Sequence, residues 1–309
     1  MKILIIGDMH LRSKAPRSRT DKNFLKTCVG KFRECYRIFI DKGCRFAIQV
    51  GDFFDSPRPS GDLMIEVIKS LQLMRVPTDM HCIHGQHDML YHTETWMSKS
   101  MLEILNTVNL LRSLKNEPAI MGEEQGKNMY AIGASFGQTP PPPKLPGKDY
   151  NILVAHAMVG DKPLWPGHEL TGPEEYVKKH PGYDLYCLGD YHYPFSVKVG
   201  DAWVINPGCM LRLTSHERDR NHRPKVVVFD TEANEPENVF LTARPSNDVF
   251  LPVEEEKDDE TRNYDVLVDK LRDTGNVGVN FTENLQRFLV QNNIEESVRK
   301  KAWDALKSV

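Results

Sequence analysis

Five times along the chain a short apolar run stops at a glycine or alanine and passes directly into side chains that bind protons or metal ions. The stretches are Ile3 to His10 (ILIIGDMH), Phe46 to Asp55 (FAIQVGDFFD), His81 to Asp88 (HCIHGQHD), Ile152 to His156 (ILVAH) and Leu185 to His192 (LYCLGDYH). Runs of this length bounded by glycine read as strands. In an open α/β sheet ligands gather beyond the carboxyl ends of the strands, so a carboxylate one residue past such an end stands where chemistry takes place. Asp52 is the candidate centre for that reason. With Asp8, His10, Gln86, His156, Asp190 and His192 it makes a set of oxygen and nitrogen donors drawn from distant sequence, as a metal site requires.

The segments between the runs supply helices. Residues 21–42 carry Phe24, Leu25, Cys28, Phe32, Cys35, Tyr36, Phe39 and Ile40 at helical spacing and complete a βαβ unit. Residues 60–74 form a second amphipathic pattern behind Ser60 as N-cap, and 93–105 a third, striped by Met97, Met101, Leu102 and Leu105. Four consecutive prolines within 138–148 forbid helix and central strand, so this stretch is an extended surface linker joining one α/β half to another. The second half adds 195–199, 202–206 and 225–230, short alternating runs suited to antiparallel pairing. Two halves with facing strand ends predict an α/β fold, a four-layer αββα sandwich with metals at one rim. The expected organisation is a catalytic domain over 1–243, an acidic linker over 244–263 that holds Glu254 to Glu260, and a helical appendage over 264–309 for capping or partner binding.

Composition removes several classes. The 309 residues can bury a large core without staples, and the six cysteines contain no C-x-x-C, which excludes a zinc ribbon or a redox pair and suits a reducing compartment. No run approaches the roughly 18 apolar residues of a membrane span, and the first is too short for a signal-peptide core. The expectation is a soluble cytoplasmic protein, in the host's cytoplasm for a phage gene. A net charge of −3 argues against wholesale coating of nucleic acid, but the loop from Leu11 to Arg19 is basic and follows His10 immediately. Arg12, Arg17 and Arg19 are therefore candidate phosphate contacts.

The donors suggest phosphate chemistry. Asp52 could share its two oxygens between two divalent ions, and a pair about 3.5–4 Å apart can hold both the attacking and the phosphoryl oxygens of an in-line displacement. His87 followed by Asp88 reads as an acid oriented by a carboxylate, able to protonate a leaving oxygen.

The series GDMH, GDFFD, GQHD, AH and GDYH resembles the calcineurin-like metallophosphoesterase signature, normally GD-x-H, GD-xx-D, GNHD, GH or AH, and GH-x-H. Leu11 after His10, Asp55, and the stretch Asn206 to Arg212 (NPGCMLR) resemble the SbcD type of that superfamily, DNA nucleases that work with an SMC-like ATPase in double-strand break processing; the match spans about residues 1–230. The resemblance implies one metal on Asp8, His10, Asp52 and His192, a second on Asp52, Gln86, His156 and Asp190, and His87 as the catalytic imidazole. It implies Mn²⁺, with Mg²⁺ as the alternative, exonuclease action on duplex DNA and endonuclease action on single strands. It also implies a homodimer through helices 60–74 and 93–105, a C-terminal segment that binds an SbcC-type ATPase, and Asn206 and Arg212 on the DNA rim.

Two residues depart from that pattern. Gln86 stands for asparagine and moves the amide oxygen outward by roughly one C–C bond. Asp190 stands for histidine and adds a third carboxylate, which favours harder ions over Zn²⁺. Two other readings use the same residues: a small-molecule phosphodiesterase or protein phosphatase, and a catalytically weakened binding scaffold.

Overall fold

The computed structural model describes residues 1–73, 80–144, 147–164 and 169–251. The chain divides into two units, Met1–Pro252 and Val253–Val309, and the described residues lie in the first. The expected appendage 264–309 and the linker residues 252–263 lie outside the described residues.

Two six-stranded mixed sheets form the body. The first runs in the order β12 (Glu235–Phe240), β11 (Lys225–Asp230), β1 (Lys2–Ile6), β2 (Phe46–Gln49), β3 (Met80–Cys82) and β4 (Arg112–Ser113). The second runs in the order β5 (Ala119–Glu124), β6 (Lys127–Ala134), β7 (Tyr150–Ala157), β8 (Leu185–Asp190), β10 (Ala202–Asn206) and β9 (Phe195–Val199). Strands β1 to β4 are parallel, as are β6, β7, β8 and β10. Alternate residues of a strand point to opposite faces. Accordingly Ile3, Ile5, Ile48 and Val50 of the first sheet meet Ile152, Val154, Leu185 and Cys187 of the second in a core between the sheets.

The outer faces are covered by helices, which explains why the parallel strands read as continuous apolar runs. Leu4, Ile6 and Ala47 pack under α1 (Phe24–Asp41), α2 (Gly61–Leu73) and α3 (Met101–Thr107). Ile132, Leu153, Tyr186 and Leu188 pack under α4 (Pro173–Lys179). The result is the expected four-layer αββα order. Asn23 caps α1 by accepting from the Lys26 amide at 2.9 Å, while Phe24, Cys28, Phe32, Cys35 and Phe39 keep one face buried. All six cysteines are free and buried.

Four expectations change. Residues 93–105 are not one helix: a 3₁₀ segment, Glu94–Lys99, ends at Ser100, whose extended backbone and hydroxyl start α3 by accepting from the Glu103 amide at 3.0 Å. The proline stretch does not join two halves either, because the second sheet already begins at β5 and the prolines connect its neighbouring strands β6 and β7. And β11 returns to pair antiparallel with β1 in the first sheet, so the two sheets are interleaved in sequence. At the C-terminal end, residues given to the linker fold onto the body: α5 (Glu217–Asn221) is followed after β12 by α6 (Ser246–Val249), and Phe250 lies under Arg19, Arg212 and Arg220.

Candidate metal centre

All seven predicted donors reach one rim, where the carboxyl ends of β1, β2, β3, β7 and β8 meet. Asp8 Oδ2 lies 3.5 Å from His192 Nε2, and His10 Nε2 lies 3.0 Å from that same nitrogen. Asp52 Oδ2 is 3.6 Å from His10 Nε2 and 3.5 Å from His156 Nε2. Asp190 Oδ1 is 4.0 Å from His156 Nε2 and accepts from Gln86 Nε2 at 2.8 Å. Residues from opposite sheets thus share one pocket, because the sheets almost touch there: a Cβ on Gly51 would collide with the His156 ring, and one on Gly189 with the Val50 carbonyl and the Asp8 carboxylate.

Backbone geometry aims the donors. His10, Asp52 and Asp190 adopt φ of 44°, 50° and 80°, a region that side chains with a Cβ rarely occupy and that concentrates at functional sites. Hydrogen bonds hold them there: the His10 amide donates to Asp52 O at 2.9 Å and the Asp190 amide to Asp8 Oδ2 at 3.0 Å. The His87 amide donates to Asp52 Oδ1 at 2.8 Å. His156 donates Nδ1–H to Val50 O at 2.7 Å, which fixes the tautomer and leaves Nε2 as the free donor atom.

What remains unpartnered is the test of metal fit. Asp8 Oδ1, Asp52 Oδ2, Gln86 Oε1 and His156 Nε2 are buried without a hydrogen-bond partner, each a cost of about 1–3 kcal/mol unless something satisfies it. Asp8, Asp52 and His156 offer atoms within 4.8 Å of one another, and so do His10, Asp55 and His87. Electron-pair donors converging this way fit a cation. Without one, burial drives the Asp8 carboxyl well above its usual range, with Asp52 and Asp190 adding to the rise against His156. Burial opposes ionisation of Asp52 as well, but His156, His10 and His87 outweigh it and hold that carboxyl below the usual range. Burial likewise disfavours a charged His156, yet Asp52, Asp8 and Asp190 together push its imidazole up to about 10.

His87 stands at the half-buried edge, its ring 4.9 Å from that of His10. Its Nδ1 donates to the Asp55 carbonyl at 3.1 Å, so Nε2 is the nitrogen available for proton exchange. This corrects the reading of Asp88 as the group that orients His87. Asp88 is buried and turned away by the 3₁₀ turn Gln86–Asp88, accepting from the amides of Phe53, Phe54 and Gly85 at 3.1, 2.9 and 3.0 Å; it rivets the β2 loop to the β3 loop.

Of the expected DNA contacts, Arg12 and Arg17 stay within reach of solvent, although Arg12 also pairs with Asp55 at 2.9 Å. Three do not. Asn206 is fully buried and bridges Tyr191 O and the Gly208 amide. The Arg19 side chain, 4% exposed, pairs with Asp21 at 2.7 Å, and Arg212 is tied to Ser246 Oγ and Arg244 O at 2.9 and 2.6 Å. Sequence showed their polarity and hid their burial. Two residues it passed over belong to the site: Cys209, whose sulfur shares a 4.8 Å cluster with His10 and His192, and His92, whose Nδ1 donates to Gln86 O at 2.7 Å. The only signal for either was proximity to a motif, NPGC for one and GQHD for the other.

A model of the calcineurin-like phosphoesterase superfamily domain matches residues 1–234. The chain belongs to that superfamily. Members use divalent metals for hydrolysis, in keeping with the donors above. The DNA double-strand break repair protein Mre11 of Methanosarcina mazei is 24% identical over 228 residues, 71% of this chain and 35% of that protein. The Mre11 of Halobacterium salinarum is 22% identical over 249 residues, 75% of this chain and 57% of that one. The chain therefore spans between about a third and somewhat over half of these relatives. A solved Thermotoga maritima structure covers 78% of this chain and 99% of its own at 13% identity and a TM-score of 0.30. Among the described residues no helix is long and apolar enough to cross a membrane.

Proposed function

We propose that this phosphoesterase is a metal-dependent DNA nuclease, cutting duplex ends and single strands in repair or recombination. The observation that carries the reading is the convergence of unpartnered Asp8, Asp52, Gln86 and His156 atoms beside a tautomer-fixed His87 on the open edge. The names of the two archaeal relatives support DNA as the substrate.

Asp8, His10, Asp52 and His192 would hold one ion, and Asp52, Gln86, His156 and Asp190 the other. Bound there, divalent ions supply Lewis acidity towards the phosphoryl oxygens and an ionised attacking water at neutral pH. The chain's own residues do the rest. Gln86 donates an amide hydrogen to Asp190 and keeps its buried Oε1 free of any other hydrogen bond. When His87 is protonated, Nε2–H can pass its proton to the leaving sugar oxygen as the P–O bond breaks, while the Asp55 carbonyl keeps the ring from turning. Arg12, anchored on Asp55, stands where a flanking phosphate would pass.

Three carboxylates and an amide oxygen favour Mn²⁺ or Mg²⁺. A second copy docking through α2 and the 94–107 segment, and an SMC-like ATPase docking through residues 264–309, complete the proposal. End-labelled duplex DNA incubated with Mn²⁺, beside a small chromogenic phosphodiester and an EDTA control, tests it. Metal-dependent release of labelled nucleotides supports the nuclease. Turnover of the chromogenic ester with DNA left intact sinks it in favour of a small-molecule phosphodiesterase.

A further inference from the structure

Next to His192 the surface opens into a cleft of about 640 Å³ that the metal centre does not use. Tyr193, directly after His192, lines it together with Arg223, Lys225 and Phe240. Strand register places Lys225 and Phe240 at the catalytic rim. Ile5 pairs with Val227, so Lys225 stands level with Gly7 at the carboxyl end of β1, and Phe240 pairs with Lys225. His222 joins cleft to centre, its Nε2 bonded to the carbonyl of Cys209 at 2.6 Å.

The lining alternates aromatic faces with cations. The Arg218 guanidinium lies 5.0 Å from the Tyr193 ring centre, and that of Arg223 lies 4.2 Å from the ring centre of Phe240, which is 49% exposed. Such pairing leaves ring faces for bases and donors for phosphates. Arg218 bonds Pro163 O through Nη2 at 3.1 Å, but its Nη1 is buried with no partner, a charged donor that lacks an acceptor. Lys162, Arg218, Arg223 and Lys225 outnumber the two carboxylates of the lining, Asp161 and Glu217, on a chain whose net charge is −3.

We infer that this cleft binds a single strand of nucleic acid next to the scissile bond, stacking unpaired bases on Tyr193 and Phe240 and meeting their phosphates with Arg218, Arg223 and Lys225. A duplex buries its base faces, so the exposed Phe240 ring and the half-buried Tyr193 ring, flanked by cations, suit an unpaired strand. The inference rests on the nuclease reading and adds to it the path of the strand past His192.

The test is fluorescence anisotropy with a 5′-labelled oligothymidylate and the full chain in EDTA, across a series of salt concentrations, with thermal melts to verify folding. Phe240→Ala should weaken binding about tenfold, as loss of one stacked base does. Arg223→Gln, at an exposed position, should reduce the slope of log affinity against log salt by about 0.7 for a lost phosphate contact. A blunt hairpin duplex should bind both variants as it binds the parent. An oligothymidylate that does not bind the parent, or binds the folded variants equally well, overturns the inference, and so does an equal loss for the duplex. None of these results touches the nuclease reading, which stands or falls on metal-dependent cutting of DNA by the unmodified protein.

Discussion

The two sides of the metal rim are built differently. On one side Asp8, Asp52, Asp190, Gln86 and His156 are locked by the protein: Val50 O takes Nδ1 of His156, and the amides of Asp190 and His87 take the spare oxygens of Asp8 and Asp52. On the other side the His10 ring meets those of His87 and His192 edge to face, each 4.9 Å away between centres. His10 Nδ1 stops 3.6 Å short of Asp55, and the His192 side chain is 36% exposed. A preorganised anionic pocket binds a dication without rearranging, whereas an exposed imidazole such as His192 first gives up its freedom. Calorimetric titration with Mn²⁺ should therefore resolve two unequal steps, the tighter on the carboxylate side. Two equal steps would erase the distinction.

Asp52 belongs to both sides, so its loss should have the largest effect. Asp52→Ala removes the oxygen nearest both His10 and His156. Activity on DNA and on the chromogenic ester should fall below detection, with no more than one ion retained. Retention of both ions would show that the two sides do not meet at this carboxylate.

His87→Gln acts on the imidazole side alone. General-acid catalysis contributes about 10²- to 10⁴-fold, and kcat should fall by that amount while both metal-binding steps persist. The deficit should shrink on an ester with an acidic phenol as leaving group, which departs without a proton. An equal deficit on both substrates would make His87 a structural residue.

Asp190→His, which restores the more usual residue, carries the comparison in the other direction. An imidazole in place of the third carboxylate softens the donor set and also removes the acceptor of the Gln86 amide. Relative affinity for Zn²⁺ over Mn²⁺ should rise by about 10- to 100-fold, the usual reach of changes around a metal. An unchanged ratio would mean that Asp190 does not tune the ion.

The donor atoms were legible in the sequence because each stands at a strand end, and a strand end is marked locally by an apolar run and a glycine. The pairing of strands is not local. The return of β11 to β1, and the start of the second sheet at β5 ahead of the prolines, depend on which apolar faces meet in space; the alternation in 225–230 fits either sheet. Asp88 misled for a related reason. Adjacent residues in a 3₁₀ turn point apart, so the neighbour of His87 in sequence serves three backbone amides instead.

Arg212 gives the smallest expected effect and separates chemistry type from location most sharply. By sequence it looked like a DNA contact; in the fold its guanidinium binds Ser246 Oγ and Arg244 O and lies over Phe250, holding the end of the body closed. Arg212→Met keeps most of the hydrocarbon stem and removes two charge-assisted bonds, to Ser246 Oγ and to the Arg244 carbonyl, at a cost of about 1–3 kcal/mol. At roughly 2–4 °C per kcal/mol for a domain of this size, thermal unfolding should shift down by several degrees. Single-strand affinity and its salt slope should stay at the parent's values, in contrast to Arg223→Gln in the cleft. A variant with unchanged melting and weaker DNA binding would return Arg212 to the DNA surface and show that the clamp around Phe250 opens in solution.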